Sequence, residues 1–545
     1  MLTANEKSLL AQLDAQEIYD CDAAIATFDR RSGRPGERSS IDVMIDILTK
    51  AGVKCHVNEF PAWLSDPVKA HLRMDGKELY CKTWSFCANT NGVLKAPAVF
   101  VEAKDLARNP LDLMGRRLTS LEKDLTGKIV VTLASGPVPL MNAADRGAVG
   151  IVSCWEHGDE KLVHESNVNM IWGQPDPAET GLYNHLPVVG MNYADGHALI
   201  EKVKQGGVVL EMETKVEERQ WTLPILEAVI EGDSEDYILL GNHLDSWFYG
   251  ASDNGTGNAI ALTMAKLFAQ TKGFKRGLKI CWWSGHSNGR YAGSEAYVRK
   301  NYRSLRDHCL ALCNTDLPGQ RGATDFGRGS STPDLEPLYA GVVTDVTNQK
   351  LRHSAYVTGW DMTLKNLGIS SCMSWSSTPP DGSSVATGSQ LVGGFMTRWW
   401  HTEDDVIDYV DKDILLTDAK IYALSINRLL TADNILNPAA TLDEVQNELK
   451  AYACAEELRA ALSAVRSDIV TDRDPKSLLR RTRLLNKMLY AFKGAHEQDW
   501  ATGLHYVPGL WLAENSHPIN DREKLMVDAF RERQINRLWD LVDQL

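Results

Sequence analysis

The stretch Ile238-Leu239-Leu240-Gly241-Asn242-His243-Leu244-Asp245-Ser246-Trp247, followed by Gly250-Ala251-Ser252-Asp253-Asn254-Gly255-Thr256-Gly257, decides the fold. It opens as a short apolar run of the kind a buried strand needs. It turns polar at His243-x-Asp245, crosses a glycine-rich loop and enters a helical run from Asn258 to Gln270. His243, Asp245 and Asp253 therefore fall at the carboxyl end of a strand and in the loop behind it. Open α/β sheets carry their sites there. Imidazole and carboxylate suit zinc or a similar divalent ion. In His-x-Asp the acid can accept the other N–H of the imidazole and so orient the ring. Asp253 has two oxygens with which to bridge a pair of ions. The competing reading is a strand-end pair that only caps the helix, and His-x-Asp alone does not exclude it.

Buried strands flank this stretch at Ile225–Ile230, Leu278–Trp283 and Leu310–Asn314, with helices between them and a closing helix at Leu415–Leu430. That alternation predicts a doubly wound α/β domain. Upstream, Leu9–Phe28 and Ser39–Ala51 read as helices and Val53–Phe60 as a strand, the first part of the same domain. From Lys77 the texture becomes short strands with few long helices: strands at Ala96–Val101, Leu186–Met191 and Val208–Met212, a turn leading into a strand over Leu125–Thr132, and a short helix returning to a strand over Asn142–Val152. This module shows no cluster of His, Cys and acid and reads as a lid or substrate-selecting insert. Beyond Asn437-Pro438 the helical periods Leu442–Val465, Lys476–Lys493 and Glu523–Leu545 predict a helical C-terminal domain. The expected boundaries are thus 1–76 and 222–436 for the α/β domain, 77–221 for the insert and 437–545 for the helical domain.

A chain of 545 residues exceeds one ordinary core and fits about two or three domains. Basic residues number 58 and acidic residues 72, a formal charge of −14. That balance argues against nucleic acid or an anionic membrane surface as the main partner. Met1 to Lys7 lacks a basic segment leading into an apolar one, so no signal peptide is expected. No apolar run is long enough to span a bilayer. The ten cysteines are scattered without CxxC pairs and read as reduced thiols of a cytoplasmic protein.

Three further stretches bear on a metal site. Asn314-Thr315-Asp316 ends a buried strand, Trp400-His401-Thr402-Glu403-Asp404-Asp405 precedes the closing helix, and Trp283-Ser284-Gly285-His286-Ser287-Asn288-Gly289-Arg290-Tyr291-Ala292-Gly293-Ser294 follows another strand. Taken together, these motifs resemble the co-catalytic zinc aminopeptidase and glutamate carboxypeptidase family, to which the transferrin receptor is related. The resemblance covers nearly the whole chain. It implies that residues 77–221 form a protease-associated insert and that the C-terminal helices build a homodimer. It implies that His243, Asp253 and Asp316 hold one metal, that Asp253 bridges to a second held by His401, and that Asp245 orients His243. One or two divalent ions are expected, zinc first, with manganese or iron suited to an oxygen- and nitrogen-only donor set.

The second motif departs from the family. There the resemblance calls for two adjacent glutamates, one the general base and the next a metal ligand. Here no acid occurs between Trp283 and Ser294. Alignment on Gly289 puts His286 and Ser287 in those places; alignment on Gly293-Ser294 puts Ser287 and Asn288 there. His286 suits proton transfer near neutral pH, and Ser287 can hydrogen-bond a water or substrate oxygen. Glu403 and Asp404 are nearby acids that could also serve. Trp247, Tyr249, Trp282, Trp375, Trp399 and Trp400 suggest an aromatic-lined pocket, and Arg290 and Arg398 are candidates for gripping a substrate carboxylate. The expected function is metal-dependent hydrolysis of an amide or related C–N bond in a small molecule or short peptide. The alternative is a catalytically inactive binding or scaffold protein on the same fold.

Overall fold

The computed structural model describes residues 1–106, 124–156, 161–352, 361, 363–372, 376–386, 396–497, 505–518 and 520–545. Among them, twelve strands form one mixed sheet. They are β1 (Cys55–Met74), β2 (Lys77–Leu79), β3 (Lys82–Thr83), β4 (Leu94–Phe100), β5 (Ile129–Thr132), β6 (Gly150–Cys154), β7 (Val188–Met191), β8 (Val209–Ile230), β9 (Tyr237–His243), β10 (Gly277–Trp283), β11 (Cys309–Asn314) and β12 (Ser370–Cys372). The spatial order is β12-β11-β9-β10-β8-β4-β5-β6-β7-β3, with β1 against β8 and β2 against β1.

The order contains two parallel blocks. β10, β9, β11 and β12 run parallel, as do β4, β5, β6 and β7. What joins them is a long antiparallel ribbon of β1 and β8, paired from Cys55 opposite Ala228 to Met74 opposite Leu210. Along its other edge β8 pairs with β10 at one end and with β4 at the other. The ribbon therefore passes from the domain of the metal motifs into the insert without a linker.

Every residue of β9 and β11 is buried. Side chains alternate across a strand, so Ile238 and Leu240 face one core, with Ile260, Met264 and Phe268 of the helix Thr256–Ala269, and Leu424 of the helix Lys412–Thr431. Tyr237 and Leu239 face the other, with Trp283, Ala296 and Tyr297 of the helix Ala292–His308. Covering both faces explains why these strands read as unbroken apolar runs.

Some expected elements differ. Leu9–Phe28 is two helices, Ala4–Leu10 and Ala15–Ile25, because Asp14 leaves the helix and accepts the Glu17 amide at 2.8 Å as a cap. The strand expected at Val53–Phe60 runs on to Met74, since β8 offers it a partner throughout. Leu442–Val465 is split into Pro438–Leu449 and Glu456–Ala464.

The C-terminal helices bury a core of their own around Leu442, Val445, Leu462, Leu485 and Leu489. The ten cysteines are unpaired. Among the described residues no helix is long and apolar enough to cross a membrane.

Candidate metal centre

Parallel registry sets the site. His243 at the end of β9 lies opposite Trp283 at the end of β10, and Asn314 ends β11 opposite Gly241. Three strands thus stop at one edge, and the loops behind them carry Asp253, His286 and Asp316. His243 Nε2 lies 3.2 Å from Asp253 Oδ1 and 3.5 Å from Asp316 Oδ1. The other Asp253 oxygen is 3.2 Å from His401 Nε2. One buried carboxylate thus faces two imidazoles, one oxygen to each.

The chemistry of these groups fits a cation. Buried polar atoms are nearly always hydrogen-bonded, yet His243 Nε2 and Asp316 Oδ1 are buried without a hydrogen-bond partner. Burial alone would lower the His243 pKa, but the facing carboxylates of Asp253 and Asp316 outweigh it and hold it well above the usual value. Burial pushes Asp316 up, and it pushes His401 down. Burial opposes ionisation of Asp253 too, yet His243 and His401 hold its carboxyl below the ordinary range. The protein alone thus holds a proton where a divalent ion would serve all three ligands; loading such a site displaces that proton.

Each ligand imidazole is held from behind. His243 Nδ1 bonds the main-chain oxygen of Asp245 at 2.8 Å and His401 Nδ1 that of Glu165 at 3.0 Å. A carbonyl only accepts, so both rings carry a proton on Nδ1 and turn Nε2 to the site, where it would be the ligand atom once the proton held there is displaced. The Asp245 side chain does not orient His243, as the motif suggested. Its oxygens are claimed by Ser32 Oγ at 2.6 Å and by the amides of His286 and Ser287 at 3.1 and 2.9 Å. Asp245 shapes the loop after β10 instead.

Asp405 completes the Asp253 loop. It accepts the amide and hydroxyl of Ser252 at 2.8 and 2.7 Å and the amide of Asp253 at 3.0 Å. Burial pushes its pKa up to about 7. Arg30 was not singled out by the sequence: it is fully buried and donates to the carbonyls of Leu244, Tyr249 and Gly250. A lone arginine in a turn carries no signal of such a role.

His286 stands beside the triad rather than in it. Among the described residues His243, Asp253 and Asp316 form the one group of three or more His, Cys, Asp or Glu whose ligand atoms all lie within 4.8 Å of one another. The His286 ring stacks on His243 with centroids 3.8 Å apart and planes 15° apart, and Tyr291 meets it edge-on. Its Nδ1 lies 2.7 Å from Asp361 Oδ2. Asp361, in Gly359-Trp360-Asp361, belongs to no motif, so the sequence did not point to it. Ser287 is buried, its amide held by Asp245 and its carbonyl by Asn167 Nδ2 at 2.9 Å.

Residues of the segment 77–221, expected as a lid or substrate-selecting insert, reach the centre. The Glu165 amide donates to the His401 carbonyl at 2.9 Å and His164 Nδ1 to that of Trp400. Lys82 pairs with Glu403 at 2.7 Å and lies 4.6 Å from the Phe248 ring centroid. Glu403 is thereby engaged with the insert. Burial raises Glu165 to about 7 and lowers His164 to about 3. Of the aromatic set, Trp282 and Trp399 are buried, and Trp399 Nε1 donates to Ser252 Oγ at 3.1 Å. Trp400 stacks on His401, and Trp247 lies 5.9 Å from it. Trp375 lies outside the described residues. Arg398 is exposed, and the Arg290 guanidinium lies 5.5 Å from the Tyr291 ring centroid.

Strand-end His, Asp and Asp with a second imidazole across a shared carboxylate make a donor set suited to one or two divalent ions at the edge of an α/β sheet. The family model for peptidase family M28 matches residues 226–424, the segment that supplies all four of these residues. Over 127 residues the chain is 35% identical to Probable glutamate carboxypeptidase VP8 of Zea mays, covering 22% of this chain and 17% of that protein. Over 298 residues it is 26% identical to Leucine aminopeptidase 2 of Arthroderma otae, covering 54% of each. The chain thus spans about half the length of the second relative and less of the first. Among solved structures, a zinc aminopeptidase from Bacillus subtilis shares the fold with a TM-score of 0.57 and 16% identity, over 77% of this chain and 96% of that one.

Proposed function

We infer that the chain is a metal-dependent hydrolase that cleaves an amide or related C–N bond in a small molecule or short peptide. The observation that carries this reading is the buried convergence of His243, Asp253 and Asp316, with His243 Nε2 and Asp316 Oδ1 left without partners. His401 faces the second oxygen of Asp253. These residues would hold one or two divalent ions, zinc foremost, with manganese or iron compatible with the donor set. A divalent ion there supplies the positive charge that polarises a carbonyl and acidifies a water.

The chain's own residues do the rest. Asp253 sets the spacing of the two imidazoles. Asp245, through the amides of His286 and Ser287, fixes the loop in which the family's glutamates are absent. His286 takes the place of the base and accepts a proton at Nε2; Ser287 lines the same loop. An imidazole in place of a carboxylate favours a substrate outside the usual peptides. The insert, of protease-associated type, borders the entrance through Lys82, Glu165 and Asn167. The C-terminal helices pair two copies, and ten unpaired thiols suit a reducing, cytoplasmic setting. Loss of both glutamates favours a second reading, an inactive binding protein on this fold.

Metal content per chain, measured with amide hydrolysis for the parent and His286→Ala, tests the choice. The expected result is metal in both proteins and turnover lowered about 100-fold or more in the variant, as for loss of a general base. A parent that takes up no divalent metal defeats the hydrolase reading. Equal turnover in the two defeats the role of His286.

A further inference from the structure

The glutamates missing from the second motif leave the site without a carboxylate on that loop, yet the structure brings one there from elsewhere. Asp361 is fully buried, and both its oxygens are engaged: Oδ2 lies 2.7 Å from His286 Nδ1, and Oδ1 accepts Ser294 Oγ at 2.7 Å. We propose that Asp361 is a positioning residue, fixing the ring of His286 and the nitrogen that carries its proton, so that Nε2 keeps its lone pair. For its kinetic consequence the proposal rests on the hydrolase reading above; for its structural content it does not.

Three observations support it. An ionised carboxylate only accepts hydrogen bonds, so the Nδ1 facing it must be the donor. Despite full burial, the nearby His286 and the Ser294 hydroxyl hold Asp361 below its ordinary range, in the ionised form this requires. Next, the carboxylate cannot swing away, because Ser294 at the start of the helix Ala292–His308 anchors its second oxygen, while stacking on His243 fixes the plane of the ring. Finally, the arrangement repeats what the structure does with the other two imidazoles of the centre. His243 and His401 also give Nδ1 to an acceptor-only oxygen and so turn Nε2 towards the centre. His286 differs only in leaning on a full negative charge, which makes it the most electron-rich of the three.

The positioning role is tested with Asp361→Asn. The first readout is the 15N spectrum of the imidazoles in the zinc-loaded and chelator-treated protein, with His286 assigned by its absence in His286→Gln. The parent is expected to show His286 protonated at Nδ1 and unprotonated at Nε2, and Asp361→Asn to shift protons to Nε2. The second readout is steady-state kinetics. Here kcat should fall about 10- to 100-fold with KM little changed, as for loss of a partner behind a site histidine, and Asp361→Glu should recover part of it. If Asp361→Asn does not fold, Ser294→Ala, which removes only the anchor on the second oxygen, is expected to shift both readouts in the same direction by less. An unchanged His286 spectrum in the variant, or an unchanged kcat alongside a changed spectrum, overturns the proposal. A parent without turnover defeats the hydrolase reading, and the spectra alone then decide the role of Asp361.

Discussion

Glu37 shows how much an individual buried group in this molecule depends on its surroundings. It lies behind the loop after β10, accepts the Gly33 amide at 2.7 Å and is hydrogen-bonded to the Ser284 hydroxyl. Burial, helped by the charge of Asp245, raises its pKa from 4.5 to about 8, against the pull of those bonds. The folded protein therefore keeps a proton that the unfolded chain has lost over that interval. Stability must fall as pH rises from about 4.5 to about 8, and then level off. Glu37→Gln, similar in shape and neutral throughout, should lack this slope. Urea unfolding at a series of pH values is expected to show the variant gaining on the parent across that window. The gain should total on the order of a few kcal/mol, since each tenfold change in proton affinity between the folded and unfolded chain is worth about 1.4 kcal/mol. Parallel curves from pH 5 to 8 would mean that Glu37 is ionised throughout.

At the same scale, legibility in the sequence follows the kind of residue. His243, Asp253, Asp316 and His401 could be found because each sits at a strand end or before a helix in a pattern with few other uses. Asp361 and Arg30 could not. Each acts through a contact distant in sequence, Arg30 with Gly250 and Asp361 with His286, and neither has neighbours that mark it. The role given to Asp245 missed for a different reason. Spacing shows that an acid follows a histidine by two residues, but not whether its side chain or its main-chain oxygen meets the ring.

Among the elements, β9 to β11 were legible because strands buried on both faces are written as continuous apolar runs. The ribbon of β1 and β8 was not, because half of it is solvated: the polar residues Glu213, Lys215, Glu217 and Glu218 separate the expected strands Val208–Met212 and Ile225–Ile230. The segment 77–221 was expected as a lid or substrate-selecting insert without chemistry-bearing clusters of its own. Its strand β3 and the segment after residue 163 instead grip the centre from two sides, His401 through Glu165 and the His286–Ser287 loop through Asn167. Asn167→Ala isolates this grip. The side chain is buried, donates to the Ser287 carbonyl and accepts the Asn169 amide at 2.8 Å. Losing it should cost about 1–3 kcal/mol for the groups left unpaired. A shift of about 1 Å at a reacting centre can cost on the order of 100-fold in rate, so kcat/KM should drop about 10- to 100-fold while metal content stays at the parent level. Unchanged kinetics would mean that this hydrogen bond does not set the geometry of the centre.

Across the whole molecule, the helical C-terminal layer has a core of its own and is tied to the site-bearing sheet by polar contacts, among them Asn486, which donates to the Gly368 carbonyl at 3.2 Å and to Ser370 Oγ of β12 at 3.3 Å, and Arg483. Arg483, in the helix Pro475–Tyr490, is 7% exposed and donates to the carbonyls of Leu305 at 2.8 Å, Cys309 at 2.7 Å and Arg306. These oxygens lie where the helix Ala292–His308 runs into β11, so one guanidinium satisfies the end of the helix whose start holds Ser294 and the start of the strand that leads to Asp316. A cation is favoured at a helix carboxyl end by the exposed carbonyl dipoles as well. Arg483→Met keeps much of the side-chain volume but leaves those carbonyls without their donor, at about 1–3 kcal/mol for each that stays dry. Because the C-terminal core around Leu485 and Leu489 does not depend on Arg483 for its burial, the layer should stay folded while its coupling to the sheet weakens. Scanning calorimetry should then resolve two transitions in the variant where the parent shows them merged. The transition that responds to added zinc should fall in temperature, since only the sheet domain carries the ligands. A single transition at the parent's temperature would show that Arg483 is not needed to couple the layer to the sheet, and is a buried charge without leverage on the site.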